Sequence, residues 1–259
     1  MLEGKKVLIL GVANQKSIAW AVAKSLKNRG AQIALTYANE AIEKRLRPLA
    51  EEIECEDVFR CDVTSDSDID NLFSSLSYKW GSLDGIVHSI AYAEAEDLKG
   101  RFVETSREGF KTALDISAYS LVALARRGRD LMKEGGSIVT MTYLGSVRVV
   151  PSYKVMGVAK AALEASVRYL ADDLGTENIR VNAVSPGPIK TLAASGIPKF
   201  REMLKEFAEM APLKRNVSQD DVAKVVCFYL SDESSGITGE VTYVDCGFNL
   251  LGISKSSSE

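Results

Sequence analysis

The chain has 259 residues, 46% hydrophobic and 26% charged, the balance of a globular protein with enough length for one large core. Its 32 basic and 35 acidic side chains leave a net charge of −3, so no bulk positive field attracts nucleic acid or an anionic membrane. The single histidine, His88, excludes His-x-x-x-His metal sites and is the one candidate for any Ser-His-Asp arrangement.

In chain order, β-branched apolar runs predict strands at 6–10, 32–37, 58–62, 85–89, 137–142, 180–185 and 241–245. Most are continuous apolar stretches, the signature of parallel strands covered on both faces. Between them the hydrophobic period is near 3.6. Ile18, Val22 and Leu26 mark one stripe, and Phe110, Leu114, Leu121 and Leu124 another. Long helices are predicted at 107–133 and 153–174, and irregular stretches at 91–104 and 186–198. This βαβα succession predicts an α/β fold, a single-domain doubly wound (Rossmann-type) parallel sheet of about seven strands with helices on both faces. The domain is expected to span 1–253, followed by a serine-rich flexible tail at 254–259. The run Val7-Leu8-Ile9-Leu10 is too short for a signal peptide or a membrane span, so a soluble, cytoplasmic chain is expected. Cys55, Cys61, Cys227 and Cys246 form no Cys-x-x-Cys pair and read as reduced, buried packing residues.

The first strand ends in Gly11-Val12-Ala13-Asn14-Gln15-Lys16-Ser17-Ile18-Ala19, and a helix opens at about Ser17. Such a turn lies at the carboxyl ends of the strands, where doubly wound sheets bind ligands. Gly11 permits a tight turn, Ser17 suits a helix cap, and the helix N-terminus favours a pyrophosphate. With one glycine where the Gly-x-Gly-x-x-Gly pattern has three, the turn alone is equally consistent with an ordinary capped helix. A second constellation follows the fifth strand. Tyr143, Tyr153 and Lys160 lie there, and seven residues between the last two place them on one face of a helix. A phenol can donate a hydrogen bond or proton, and a nearby ammonium favours a more acidic phenol.

On these motifs the sequence resembles the short-chain dehydrogenase/reductase superfamily over nearly its whole length. Within it, the sequence is similar to the bacterial NADH-dependent enoyl-acyl-carrier-protein reductases. Ordinary members carry Tyr-x-x-x-Lys, whereas this chain has Gly157 at the lysine position and a Tyr-x₆-Lys spacing. Tyr143 upstream, His88-Ser89-Ile90-Ala91, and the segment from Pro188 to Gly196 agree with the enoyl reductase branch.

The resemblance implies reduction of a trans-2-enoyl thioester on acyl carrier protein, with NADH preferred over NADPH as cofactor. It assigns catalysis to Tyr143, Tyr153 and Lys160. Tyr153 stabilises an enolate, Lys160 holds the nicotinamide ribose, and Tyr143 orients the substrate. Cofactor contacts fall on Gly11, Ala13, Ser17, Ile18, Asp62, Val63, Ser89, Ile90, Lys160, Ile189, Lys190, Thr191, Leu192 and Ala193. Substrate contacts fall on Ala93, Tyr143, Met156, Ile197 and Phe200, the last two within a substrate-binding lid at 191–210. No metal is implied. Relatives of this kind are homotetramers, and Lys190, Lys199, Arg201 and Lys205 near the lid could steer an acidic carrier protein. The stretch Thr36-Tyr37-Ala38-Asn39-Glu40 lacks the cation a 2′-phosphate needs, with Asn39 free to meet a ribose hydroxyl and Lys16 the counter-evidence. His88, inside an apolar strand, reads as structural. The helix Asp115-Ile116-Ser117 lacks the Asn of ordinary relatives, against a β-ketoacyl or carbonyl reductase. A non-catalytic dinucleotide sensor is the rival of a different class.

Overall fold

The computed structural model describes residues 2–191 and 200–252. Seven strands form β1 (Lys6–Leu10), β2 (Gln32–Tyr37), β3 (Asp57–Arg60), β4 (Gly85–His88), β5 (Gly136–Met141), β6 (Ile179–Pro186) and β7 (Val241–Val244). They pair in the order β3-β2-β1-β4-β5-β6-β7, all parallel. Every predicted strand is present, with ends shifted by two residues at most.

Alternation along the strands sends Val7, Ile9, Ile33, Leu35, Val87 and Val139 to one face and Leu8, Leu10, Ala34, Ile86 and Ile138 to the other. Helices α1 (Ile18–Lys27) and α2 (Glu40–Glu52) cover the first face, together with a C-terminal helix, Gln219–Leu230. On the second face lie α3 (Asp66–Trp80) and two later helices, Ser120–Gly128 and Val155–Gly175. Both faces are therefore dry, and each fully buried Leu or Ile contributes roughly 1.5–3 kcal/mol.

The predicted helix at 107–133 is divided. It runs as α4 (Arg107–Leu114), a π-helical turn at Asp115–Tyr119, α5 (Ser120–Gly128) and a 3₁₀ turn at Arg129–Leu131. A π turn inserts a residue into the helical period and rotates the buried stripe. Phe110 accordingly stands 37% exposed, while Leu121 and Leu124 are fully buried. The helix predicted at 153–174 is α6 (Val155–Gly175), because Lys154 adopts φ of 43° and no helix passes through it. The last two helices are α7 (Phe200–Met210) and α8 (Gln219–Leu230). Helix α7 is anchored by Phe207, stacked on Phe248 at 4.3 Å. The remainder of the predicted lid and the tail at 254–259 lie outside the described residues. Among the described residues no helix is long and apolar enough to cross a membrane. The four cysteines are buried and unbonded, and burial pushes the Cys55 thiol up to about 11 and the Cys61 thiol up to about 12, which makes both poor nucleophiles.

Strand β1 lies between β2 and β4, so the chain direction of the sheet order reverses at the carboxyl ends of β1 and β4. Ligands of doubly wound sheets bind in that crevice.

Candidate active site

Gly11 leaves β1 at φ of 103°, and a Cβ there would lie 2.0 Å from the Ser89 carbonyl oxygen at the end of β4. The two strand exits thus touch, and only glycine fits between them. Ser17 does not cap α1 with its side chain as expected. Its Oγ turns back instead and accepts from the N–H groups of Ala13 at 3.0 Å and Asn14 at 3.1 Å. The tight turn aims those two N–H groups inward, nearer the hydroxyl than the first-turn donors of α1. One hydroxyl therefore closes the loop, and the positive end of the helix dipole faces the crevice. A tight glycine turn at the exits of β1 and β4, beside a helix N-terminus with no side-chain cap, suits a dinucleotide pyrophosphate.

The other expected cofactor residues surround this crevice. Ser89 and Ile90, half-buried, follow β4. Asp62 and Val63 follow β3, and the Asp62 carboxylate accepts from the backbone and hydroxyl of its own neighbour Thr64 at 3.0 and 2.8 Å. After β6 come Ile189, buried, and Lys190, exposed, then Thr191, half-buried. Leu192, Ala193, Ile197 and the side chain of Phe200 lie outside the described residues. Asn39 Oδ1 accepts from Ile42 N–H at 3.1 Å as the N-cap of α2, which leaves its amide N–H groups for a ribose hydroxyl. Lys16, Lys44, Arg45 and Lys190 line a cleft of about 470 Å³ on the outer side of the turn.

Tyr143 and Tyr153 meet edge to face, ring centres 4.8 Å apart. Tyr153 sits in the turn before α6, so it does not share a helix face with Lys160 as the spacing predicted; the turn places the phenol. Two glycines make room. A Cβ on Gly145 would be 2.5 Å from the Tyr153 ring, and one on Gly157 would be 2.7 Å from the Gly145 carbonyl oxygen. That second contact explains the unusual spacing. A lysine four residues after Tyr153 has no space, and Lys160 supplies the cation nearly a turn later.

Lys160 is buried, and its Nζ donates to the Met141 carbonyl at 2.7 Å. Burial lowers its pKa to about 8, against an upward pull from the neighbouring Glu164 carboxylate. The Tyr153 phenol is raised well above its usual value, by burial and then by Tyr143. The acidification expected from an ammonium beside an oxidised nicotinamide ring belongs to the cofactor-bound enzyme. Tyr153 stays protonated at neutral pH and is equipped to donate a hydrogen bond. Tyr143 is raised by burial too.

Ala93 packs with Ala113, Val155 and Ala159 beside the start of α6. Met156 is buried there, 3.9 Å from Ser117 Oγ. Ser117, in the π turn, accepts from Tyr92 N–H at 3.0 Å and donates to Tyr92 C=O at 3.1 Å, fixing the loop that carries Ala93. His88 bridges Thr140 and Ser120, each at 2.8 Å, and burial lowers its pKa to about 3. It is a neutral structural ring. Among the described residues no cluster of His, Cys, Asp and Glu suits a metal ion. Sequence reasoning missed Gly145, Thr142, Ser146 and Glu164. The available signal for Glu164 was its place one helical turn after Lys160.

The profile of the family described as Enoyl-(Acyl carrier protein) reductase matches residues 11–249, nearly the whole chain. The chain belongs to this family. The enoyl-[acyl-carrier-protein] reductase [NADH] of Rickettsia prowazekii is 54% identical to this enoyl reductase over 98% of each chain. The crystal structure of the Bacillus cereus enoyl-acyl carrier protein reductase with NADP+ and indole naphthyridinone superposes with a TM-score of 0.96. It is 50% identical and covers 97% of this chain and 99% of its own. The Anaplasma phagocytophilum reductase, in complex with NAD, gives a TM-score of 0.95 at 49% identity, over 99% and 98% of the two chains.

Proposed function

We propose that this family member reduces the carbon–carbon double bond of trans-2-enoyl thioesters carried on acyl carrier protein, using NADH, as the closing reductive step of fatty-acid elongation. The observation that carries this reading is the edge-to-face Tyr143–Tyr153 pair after β5, with buried Lys160 bonded to the Met141 carbonyl at the end of the same strand. NADH, when bound, supplies the hydride for the β-carbon. Gly11, Ala13, Ser17 and Ile18 hold its pyrophosphate side, Asp62 and Val63 flank the adenine, and Ser89, Ile90 and Lys160 lie along the nicotinamide ribose. Ile189 and Thr191 meet the carboxamide and phosphates, and Lys190, Leu192 and Ala193 complete the set of cofactor contacts.

Charge develops on the thioester oxygen as the double bond is reduced. A phenol that keeps its proton at neutral pH is the donor such an oxygen needs, and its hydrogen bond strengthens as the enolate forms. Tyr153 fills that role. Tyr143, packed on its edge, orients the thioester, and Ala93 and Met156 form the wall behind the acyl chain. Ile197 and Phe200 belong to the lid over that chain. Residues 1–253 act as one catalytic domain in a cytoplasmic homotetramer, and acidic carrier protein approaches the basic rim near Lys190 and Lys205. The Tyr-x₆-Lys spacing and the lack of an Asn in the helix around Asp115-Ile116-Ser117 weigh against a β-ketoacyl reductase.

The deciding assay follows NADH absorbance with crotonyl and acetoacetyl thioesters in parallel. Oxidation with crotonyl thioester alone is the expected result. Oxidation with acetoacetyl thioester alone refutes the reading, and no oxidation with either points to a sensor.

A further inference from the structure

Glu164 is a buried carboxylate with no part in the reaction described above. It lies one turn beyond Lys160 on α6, and its Oε1 accepts from Thr142 Oγ at 2.6 Å and from Ser146 Oγ at 2.5 Å. Those two hydroxyls bracket the turn that follows β5. Between them stand Tyr143 and Gly145, the residues that set the edge contact with Tyr153. A carboxylate is expensive to bury unless paired and hydrogen-bonded, and burial of Lys160 is costly for the same reason. The Glu164 carboxylate acts on Lys160 through space along α6, raising it against the cost of burial. The local backbone could satisfy Thr142 and Ser146 with a neutral side chain, so packing alone gives no reason for a charge at this position.

We infer that Glu164 is a positioning residue with two separable duties: its charge keeps Lys160 cationic at the cofactor ribose, and its oxygen staples the 142–146 turn so that Tyr143 stays against Tyr153. The first duty rests on the proposed role of Lys160, and the second on that of Tyr143. Other titratable groups in the electrostatic surroundings are few. His88 on β4 feels Lys160 and is neutral, and Tyr243 on β7 feels Glu164 and is itself raised by burial. Neither replaces the missing negative charge.

Glu164→Gln separates the duties, because its amide oxygen still accepts both hydroxyls while the charge is gone. Lys160 now sits at about 8. Without the carboxylate it falls further, and its protonated fraction at pH 8 drops. NADH affinity, measured by fluorescence titration without substrate, is expected to weaken about fivefold at pH 8 and to recover to within about twofold of the parent at pH 6.5. The double variant Thr142→Val/Ser146→Ala keeps the charge and loses the staple. It is expected to leave NADH affinity unchanged while KM for the enoyl thioester rises and kcat falls.

Lys160→Met serves as the reference. If it weakens NADH binding but Glu164→Gln matches the parent at both pH values, the charge duty is refuted while the Lys160 role stands. If Lys160→Met leaves NADH binding intact, the Lys160 role itself fails. A pH-independent loss in Glu164→Gln indicates a packing defect and also overturns the inference. Should Glu164→Gln not fold, the double variant decides, and unchanged KM and kcat there refute the staple.

Discussion

Gly11→Ala is the most direct test of the dinucleotide cradle. At φ of 103° an alanine is strained, which costs about 1–3 kcal/mol. Its Cβ would stand 2.0 Å from the Ser89 carbonyl oxygen, so the exits of β1 and β4 must separate by about 1 Å or more. Forcing such a shift in a packed site adds about 1–3 kcal/mol. The sum, about 4 kcal/mol, corresponds to a fall in melting temperature of about 8–16 °C for a chain of this size. The same separation opens the loop closed by Ser17 and should raise the Kd for NADH at least about tenfold, or about 1.4 kcal/mol. Thermal melts at matched protein concentration, with and without NADH, measure both effects. Gly236→Ala is the control, because a Cβ there meets nothing within 4 Å. Its melting temperature should stay within about 2 °C of the parent. A Gly11→Ala protein that melts with the control and binds NADH normally would refute the cradle.

Tyr153→Phe removes the proposed oxyanion donor and should lower kcat about ten- to a thousandfold with little change in NADH affinity, as steady-state kinetics will show. His88 is held near 3 in the fold and sits near 6.5 unfolded, so its contribution is intact above pH 6.5 and is lost as pH falls toward 3. At pH 5 the loss is about 2 kcal/mol, and His88→Gln should flatten the fall in urea midpoint between pH 7 and pH 5. NADH should exceed NADPH in kcat/KM by at least about tenfold. Residual NADPH turnover should depend on the cleft cations, and Lys44→Ala/Arg45→Ala should reduce it further; equal efficiencies in the parent would refute the preference. Lys205 is exposed near the lid, 3.8 Å from Glu209. Lys205→Glu should raise KM for carrier-bound substrate at low salt and spare a coenzyme-A thioester, an effect that salt erases.

Much of this enzyme was legible before folding. The strand-like runs located all seven strands: inner strands covered on both faces are continuously apolar, and the half-buried edge strands β3 and β7 showed through their β-branched and aromatic residues. Tyr143, Tyr153, Lys160 and the Gly11 turn were visible because their spacing survives translation into any βαβ framework. What the tertiary structure alone decided are the contacts between segments remote in sequence. Gly11 is needed because Ser89, from another strand, arrives beside it; Gly157 is needed because the Gly145 carbonyl does. Local rules placed Ser17 as a cap and began α6 at Tyr153, and both failed where a tight turn offered the backbone a competing arrangement. The π turn after Leu114 escaped the periodicity because one inserted residue leaves no mark on composition. Glu164 reads in sequence as one more acid on a helix. Its burial follows only once β5, the turn after it and α6 are packed together, since desolvation is a property of the assembled neighbourhood and not of the chain.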